Sequence, residues 1–546
     1  MKKILLFFTI AISLFGCNED ILDVTPLDRI SEKAVWSDVT LLQAYVNAQY
    51  VILLSEHNAF GGTGFDGNYI RYYSDECYHA WNPGSGWGWR NNSITADNST
   101  SLSPQLNFWQ LGYRYLYNIN FFFENVDDAV QEYSLDEEAV LSMKGEMRLL
   151  RAYIYSTLLN SYGGVPIIEK VFDLSEEMTG VTRNSYQEVF DYIMTDLDFV
   201  IDNMDNTASQ KGRACADVAR AMKGRLLLYD ASPLHNPSDD QTKWQAASNE
   251  AWELISGGRY SLYPDYASLF YTSENSEIIW QKSFSSEGGH LSALFNTPPM
   301  AGGFGNAQPT QNLADMYEMQ ATGELPYLEY DANTILNPTV NPESGFIPET
   351  PYEGRDPRFY TMFAYQGSTW NGATINTYTG SDFFNPAVTG YYTLKFLYPG
   401  VGLFDVEATT TPWILYRYAE VLLNYAEAQF FLGNEEVTRE YLNLVRARSN
   451  MPPIPESVTG DELFNRIVRE RNVELAYEGH RYYDIRRWEI AEDTQTLPII
   501  GTEVTNNWDG TFIYTRKELL PGYWDDKQYY IPIPFEEIQR SDLSLE

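Results

Sequence analysis

Hydrophobic positions recur at helical spacing along most of this chain. From about Ser37, side chains such as Leu42 and Val46 fall on one face of a helix. Residues 134–137 and 185–188 have the form of a capping box, and each predicts the start of a further helix. The pattern therefore predicts a mainly helical protein.

The same spacing continues towards the C-terminus and indicates a repeat. Further helices are predicted at about residues 137–162, 217–232, 241–255, 412–432, 435–449 and 461–488, with a strand at 528–534. Small residues alternate with leucines in the fourth of these helices, and Ala426 and Phe430 match part of the tetratricopeptide signature. We therefore predict a mainly α fold on a tetratricopeptide-like scaffold of helix pairs; an irregular helical bundle is the alternative.

Residues 258–410 break the helical pattern. They are rich in Gly, Pro, Tyr, Asn and Thr, and we interpret them as a loop- and hairpin-rich insertion. The insertion has too little patterned apolar sequence for a core of its own, so we expect one compact unit. Its predicted parts are a signal peptide (1–16), a tether (17–36), an N-terminal helical part (37–257), the insertion (258–410) and a C-terminal helical part with a tail (411–546).

The first residues have the form of an export signal. Met1-Lys2-Lys3 precede an apolar run at residues 4–15, which is shorter than the ~20 residues that span a membrane. Leu14-Phe15-Gly16-Cys17 is similar to a bacterial lipobox, in which the cysteine becomes the lipidated first residue of the mature protein. We therefore expect a lipid on Cys17; an ordinary signal peptide cut elsewhere is the alternative.

Composition excludes several classes of function. The formal net charge of −38 repels phosphate backbones, so we expect no nucleic-acid partner. No Cys or His cluster has metal-ligand spacing, and the G-x-G-x-x-G match at residues 62–67 follows a helix instead of a strand. We therefore predict neither a metal nor a cofactor. We expect Cys77 and Cys215 to be buried free thiols, with a disulfide between them as the alternative.

An aromatic content of 15% points to a binding surface. Sugar rings need aromatic faces for stacking, and amides or charged groups for their hydroxyls. Residues 65–89 have that composition, with glycines between the tryptophans that favour a loop. The first candidate group of ligand-binding residues is Tyr78, Trp81, Asn82, Trp87, Trp89, Arg90 and Asn91. The second, in the insertion, is His290, Phe295, Phe304 and Trp370. The alternative is that these side chains pack the base of the loop.

Ordered segments along the whole mature chain carry a family resemblance. In the N-terminal part they are Cys17 and residues 21–26, 44–50, 146–153, 162–166 and 221–225. In the C-terminal part they are residues 309–313, 356–358, 416–428, 470–488 and 529–534. In this order, the segments resemble the SusD/RagB family of outer-membrane nutrient-binding lipoproteins of Bacteroidetes.

The resemblance implies a helical repeat scaffold with a loop-rich ligand face. Such proteins sit on the cell surface over a TonB-dependent, SusC-like outer-membrane transporter, capture an oligosaccharide and deliver it into the barrel. The lipid on Cys17 would then hold the chain in the outer membrane, and Asn18-Glu19-Asp20 would direct it to the outer face. Members of the family place ligand-binding aromatics in the loop after the first helix, where the first candidate group lies.

The resemblance also assigns a structural role to the charged residues at 470–488. Glu470 and Glu474 share a helix face, as a catalytic pair would require. The family instead implies buried carboxylate–arginine pairs that fix helix packing, among Arg471, Glu474, Arg481 and Asp484. The sequence contains no nucleophile elbow, zinc-protease motif or P-loop, so we predict no catalytic residues.

Three other functions stay open. The same importer role for peptides is one, although aromatic crowding with Asn favours sugar. A surface glycoside hydrolase needs two carboxylates about 5–10 Å apart, and the sequence does not locate such a pair. A pure repeat scaffold would not explain the Trp-rich loop.

Overall fold

A computed structural model describes residues 32–57, 69–81, 88–172, 180–208, 210–287, 289–381 and 384–541. The lipobox, the G-x-G-x-x-G match, Asn82 and Trp87 lie outside the described residues. What the sequence predicts for them stays a prediction.

Helices dominate the structure, which is about 46% helical. They are α1 (Glu32–Ser37), α2 (Val39–Gln49), α3 (Trp109–Tyr133), α4 (Glu137–Tyr162), α5 (Tyr186–Asn203), α6 (Ala216–Ala231), α7 (Gln241–Ser256), α8 (Tyr266–Leu269), α9 (Ser292–Asn296), α10 (Gln311–Asp315), α11 (Pro357–Met362), α12 (Val406–Thr409), α13 (Tyr418–Phe431), α14 (Glu435–Arg448), α15 (Gly460–Glu474), α16 (Arg481–Arg487), α17 (Ala491–Gln495) and α18 (Phe535–Arg540). The strands are β1 (Cys77–His79), β2 (Ile278–Lys282), β3 (Ala307–Pro309), β4 (Phe363–Ala364), β5 (Thr369–Trp370), β6 (Ala373–Thr374), β7 (Tyr392–Thr393), β8 (Trp413–Arg417), β9 (Ile499–Asn506) and β10 (Phe512–Leu520).

The helices on both sides of the insertion form one scaffold. Helices α3 to α7 pack against one another in chain order, and α13 packs against α7. Trp244 of α7 stacks on Phe431 of α13 with ring centroids 4.0 Å apart, and Gln429 Nε2 donates to Ser248 Oγ over 2.8 Å. Helix α13 packs in turn against α14 and α15. These successive helix pairs confirm the predicted mainly α scaffold.

Capping residues set the helix starts, with one correction to the sequence prediction. Ser185 and Glu188 form the predicted capping box, in which Ser185 N–H donates to Glu188 Oε2 over 2.7 Å. Residues 134–137 do not form one. Ser134 ends α3 in a left-handed conformation (φ 54°), and the Asp136 carboxylate caps α4 instead. The short turn between α3 and α4 needs Ser134 for the reversal, so its hydroxyl does not serve as the cap.

Two predicted elements near the C-terminus are wrong. The helix at 461–488 is interrupted because Tyr477 (φ 65°) and Gly479 (φ 83°) adopt left-handed conformations between α15 and α16. The predicted strand at 528–534 does not form, although all its residues are described. Asp525 and Gln528 make a capping box there, which starts a 3₁₀ turn at Asp526–Tyr529.

The insertion is tied to the scaffold by short antiparallel strand pairs. Strand β2 pairs with β8, with Ile278 opposite Arg417, so the two ends of the insertion lie side by side. Strand β1 of the N-terminal part pairs with β3 of the insertion, and within the insertion β4 pairs with β7 and β5 with β6. The tail adds the hairpin of β9 and β10, which the sequence pattern does not predict.

Buried ion pairs hold α15 and α16 to their neighbours, as the family resemblance implies. Arg471 Nε lies 3.2 Å from Asp484, and Arg481 Nη2 lies 2.7 Å from Asp75. Glu474 is paired with arginines from outside its own helix: Arg358 at 3.0 Å, Arg417 at 2.6 Å, and Arg448. The expected carboxylates are therefore buried and paired, but their partners come mostly from other parts of the chain.

Cys77 and Cys215 are free and buried, as expected. Over the ranges that the structure describes, no helix combines the length and the apolarity that a membrane crossing requires.

Candidate functional site

Three partly or fully exposed aromatic side chains lie side by side at the edge of the insertion. The ring centroids of Trp81 and Phe304 are 4.8 Å apart, and those of Phe304 and Phe384 are 5.8 Å apart. Phe384 is 70% exposed, and the buried Phe295 supports Trp81 from behind at 6.3 Å. We call the surface of Trp81, Phe304 and Phe384 the aromatic face.

Strand pairing brings Trp81 to Phe304 across more than two hundred residues of sequence. Strand β1 ends two residues before Trp81 and pairs antiparallel with β3, which begins three residues after Phe304. Beyond the strands, Ala80 N–H donates to Asn306 O over 3.0 Å, and Trp81 N–H donates to Asn306 Oδ1 over 3.4 Å. The sheet therefore fixes the backbone of both aromatic residues.

The loop that carries Phe304 is tightly folded. Phe304 N–H donates to Leu294 O over 2.8 Å, which draws the loop back onto α9. Gly305 has a φ of 57°, and a Cβ atom there would lie 2.6 Å from the ring of Tyr392. A glycine is needed at this point because the conformation is left-handed and a Cβ atom would clash with Tyr392.

Phe384 is fastened to the same loop through its neighbours. The amide of Asn385 donates to Phe304 O, and Tyr392 Oη donates to Asn385 O over 2.9 Å. Gln308 Nε2 donates to Pro386 O over 3.0 Å. The exposed ring of Phe384 is thus attached to a fixed backbone, although the ring itself faces solvent.

Trp370 lies in the hairpin of β5 and β6, next to this loop. Its partly buried ring packs with Met300 against the small core that contains Tyr392, the residue beneath Gly305. Asn371 follows with a φ of 48° and accepts a 2.7 Å hydrogen bond from Gly400 N–H. Trp370 therefore packs on the core beneath Gly305 and is not one of the three rings of the aromatic face.

Of the other residues in the first candidate group that the structure describes, three are buried and one, Asn91, is exposed. Trp89 is 2% exposed and packs near Tyr482, with the ring centroids 6.1 Å apart. Arg90 is buried, donates to Leu497 O over 3.2 Å, and has its pKa lowered to about 10 by burial. Tyr78 is buried in β1. The Oδ1 atom of Asn91 accepts a hydrogen bond from Ser93 N–H over 3.1 Å. We leave these four out of the candidate site.

His290 is also buried. Its Nε2 lies 3.0 Å from both Thr411 O and Thr411 Oγ1, and its ring stacks on His57 at 4.2 Å. Burial lowers the pKa of His290 to about 4, so the ring is neutral at pH 7. The residue connects the insertion to the N-terminal part and takes no part in the aromatic face.

The sequence points to two of the three aromatic residues of the face and misses Phe384. The available signal was the run Phe383-Phe384-Asn385-Pro386, in which an aromatic pair precedes a turn. In chemical terms, the face offers flat apolar rings that match the C–H faces of sugars. Over the described ranges, no group of three or more His, Cys, Asp and Glu side chains is placed to hold a metal ion.

Comparison with known proteins finds matches to one family over nearly the whole chain. Residues 276–543 match the model of the SusD family, and residues 27–228 match a second model described as starch-binding associating with outer membrane. The chain is similar to SusD-like protein P25 of Formosa agariphila, with 25% identity over 100% of this chain and 98% of the relative.

Solved structures agree on the fold. A SusD-like protein of Bacteroides fragilis shares 28% identity and superposes with a TM-score of 0.75 over 95% of this chain and 99% of its own. A SusD-like carbohydrate-binding protein of the same organism shares 23% identity, also with a TM-score of 0.75, over 93% of this chain and 99% of its own. With two family models that together match both parts of the scaffold, the chain belongs to the SusD/RagB family.

Proposed function

We propose that this protein captures oligosaccharides on the cell surface and passes them to a TonB-dependent, SusC-like transporter of the outer membrane. The observation that carries the proposal is the aromatic face, where Trp81, Phe304 and the exposed Phe384 present adjoining rings. The family description as starch-binding and the carbohydrate-binding relative support a saccharide as the ligand.

The buried charges support binding without catalysis. Glu470 and Glu474 are each less than 3% exposed and are paired with arginines, so neither can approach a glycosidic bond. Glycoside hydrolysis needs two carboxylates on either side of the bond. We therefore expect intact glycan to be recovered after long incubation with the protein, and shorter saccharides in the mixture would contradict this.

The proposed location follows from the N-terminal sequence. Lipid on Cys17 would anchor the protein in the outer membrane, which the family description names, and an acidic surface would face the medium. Protease treatment of intact cells should then remove the protein, and Cys17→Ala should release it from the membrane fraction. A protein that survives protease on intact cells would contradict surface exposure.

Binding can be tested with the soluble chain started after Cys17. A glycan array with starch and laminarin, and a parallel peptide array, would identify the ligand class. We expect saccharides to bind, and Trp81→Ala and Phe384→Ala each to weaken binding about two- to tenfold, since stacking on one ring contributes ~0.5–1.5 kcal/mol.

The matched control is Trp252→Ala. Trp252 is 43% exposed on α7 and lies outside the aromatic face, so its loss should leave saccharide affinity unchanged. Binding that survives the double replacement of Trp81 and Phe384 would place the site elsewhere. Binding to peptides alone would favour the same importer role for a different nutrient.

A further inference from the structure

The hairpin of β9 and β10 carries a second exposed aromatic group. Trp508 at its tip is 82% exposed. Its ring lies edge-on to that of Tyr378 at 5.9 Å, and Tyr378 stacks at 6.1 Å on Phe512. An indole this exposed buries little apolar area, so folding alone does not account for it.

Hydrogen bonds hold the tip of this hairpin in one conformation. Trp508 has a φ of 62°, a left-handed conformation that bulky residues rarely adopt. Its N–H donates to Asn506 Oδ1 over 2.8 Å, and Thr511 N–H and Oγ1 donate to Asp509 Oδ1 over 2.9 and 2.6 Å. A fixed backbone presents the indole ready for a ligand and lowers the entropy cost of binding.

The surroundings of Trp508 suit a saccharide better than a protein. The aromatic group consists of three rings, and exposed polar residues, Asn507, Asp509 and Thr511, border it. Protein partners usually bury broad apolar patches. A sugar needs one ring face for stacking, with amides and carboxylates at its rim for the hydroxyls.

One chain segment links this hairpin to the aromatic face. Thr379 N–H donates to Val504 O over 2.9 Å, which fixes Tyr378 beside β9. Further along the segment, Asn385 holds Phe384 to the Phe304 loop. Because each residue extends a chain by at most ~3.6 Å, the Cα atoms of Tyr378 and Phe384 lie within about 22 Å of each other.

We propose that Trp508 and Tyr378 form a second stacking subsite, which holds a distal sugar of the same oligosaccharide chain that the aromatic face binds. This inference rests on the proposed function. A chain long enough to reach both places gains affinity, because its second contact is made at a high effective concentration. A saccharide too short to span both places reaches only one of them.

The test is a calorimetric series with gluco-, galacto-, manno- and xylo-oligosaccharides, from disaccharide to decasaccharide, on wild type and Trp508→Ala. We expect unchanged affinity for the shortest saccharide that binds and a loss of about two- to tenfold for the longest. Trp508→Phe should restore most of that loss, because it keeps a ring at the tip. Trp252→Ala should change neither affinity.

The outcomes separate this inference from the proposed function. Equal affinity of Trp508→Ala and wild type at every chain length would overturn the second subsite, while a loss in Phe384→Ala would still support the aromatic face. If Trp508→Ala instead weakened co-purification with the outer-membrane transporter and left saccharide affinity intact, the hairpin would be a protein contact and the inference would be overturned. No saccharide binding by wild type would overturn both.

Discussion

At the residue scale, the buried carboxylates depend on arginines that are distant in the sequence. Glu474 is fully buried and contacts Arg358, Arg417 and Arg448. These arginines hold the pKa of Glu474 well below its usual range despite the burial. The carboxylate and the three guanidinium groups therefore stay charged together. Removal of the carboxylate would leave the guanidinium groups buried without a counter-charge.

We expect Glu474→Gln to lower the free energy of unfolding by about 3–5 kcal/mol, because it leaves buried guanidinium groups without their counter-charge. Urea denaturation measures the change. The control is Glu536→Gln, which removes an exposed pair with Arg540 and should cost no more than ~0.5 kcal/mol. Similar losses in both variants would show that burial of the charge is not the cause.

Two tryptophans of the N-terminal loop show that the sequence alone does not predict which aromatic rings are exposed. Trp81 and Trp89 lie in the same glycine-rich, aromatic stretch, and composition favours sugar contact for both. The structure places Trp81 on the aromatic face, while Trp89 packs against Tyr482, almost four hundred residues later. Exposure of an aromatic ring is decided by such distant partners, and one sequence does not reveal them.

At the scale of elements, the aromatic face depends on the loop between α9 and β3. Gly305→Ala would force a Cβ atom to 2.6 Å from the Tyr392 ring and 3.0 Å from Pro299, in addition to the cost of a left-handed alanine. We expect this variant to displace Phe304 and to weaken saccharide binding, measured on the ligand found by the array.

Gly367→Ala is the matched control for that change. Gly367 has a φ of 84°, but a Cβ atom added there would meet no other atom within 4 Å. In both variants the left-handed alanine lowers the free energy of unfolding by about 1 kcal/mol, and only Gly305→Ala adds a clash. Equal binding by the two variants would mean that the loop geometry does not set the face.

Helices were easier to predict than strands for a physical reason. Hydrophobic periodicity and capping residues are local features of the sequence. Helix α5 therefore begins where residues 185–188 predict. Pairs such as β1 with β3 join short strands of three residues each across the sequence, and such strands carry almost no periodicity of their own. The scaffold was therefore predictable, and the assembly of the aromatic face was not.

At the scale of the whole molecule, buried titrating groups limit stability on both sides of neutrality. Burial lowers the pKa of His235, His290 and His480 from 6.5 to about 4. The unfolded chain then binds more protons between pH 4 and 6.5, so stability falls as the pH falls through that window. Burial raises the pKa of Glu76 from 4.5 to about 8, so its contribution is lost as the pH rises towards 8.

We therefore expect the free energy of unfolding to be greatest near pH 6.5. Each buried histidine contributes a slope of about 1.4 kcal/mol per pH unit on the acid side. The raised pKa values of Glu56, about 6, and Glu76, about 8, oppose the three histidines only in part over this window. Thermal midpoints measured from pH 4.5 to 8.5 test this expectation.

We assign the expected fall in stability on the alkaline side to Glu76. Glu76→Gln should flatten the fall in midpoint between pH 6.5 and 8, because a glutamine keeps the neutral form that burial favours. The exposed Glu518→Gln should leave the profile unchanged. An unchanged alkaline fall in Glu76→Gln would assign it to other groups.

The pairing of β1 with β3 has a consequence for how the ligand and the fold depend on each other. Trp81 and Phe304 meet only after the N-terminal loop and the distant insertion have come together, so an incompletely folded chain has no aromatic face. A saccharide that binds this face stabilises the folded chain alone, by about 2.7 kcal/mol at one hundred times its Kd. A bound saccharide would then stabilise a contact between residues more than two hundred positions apart, and the protein would resist unfolding most where its ligand is abundant.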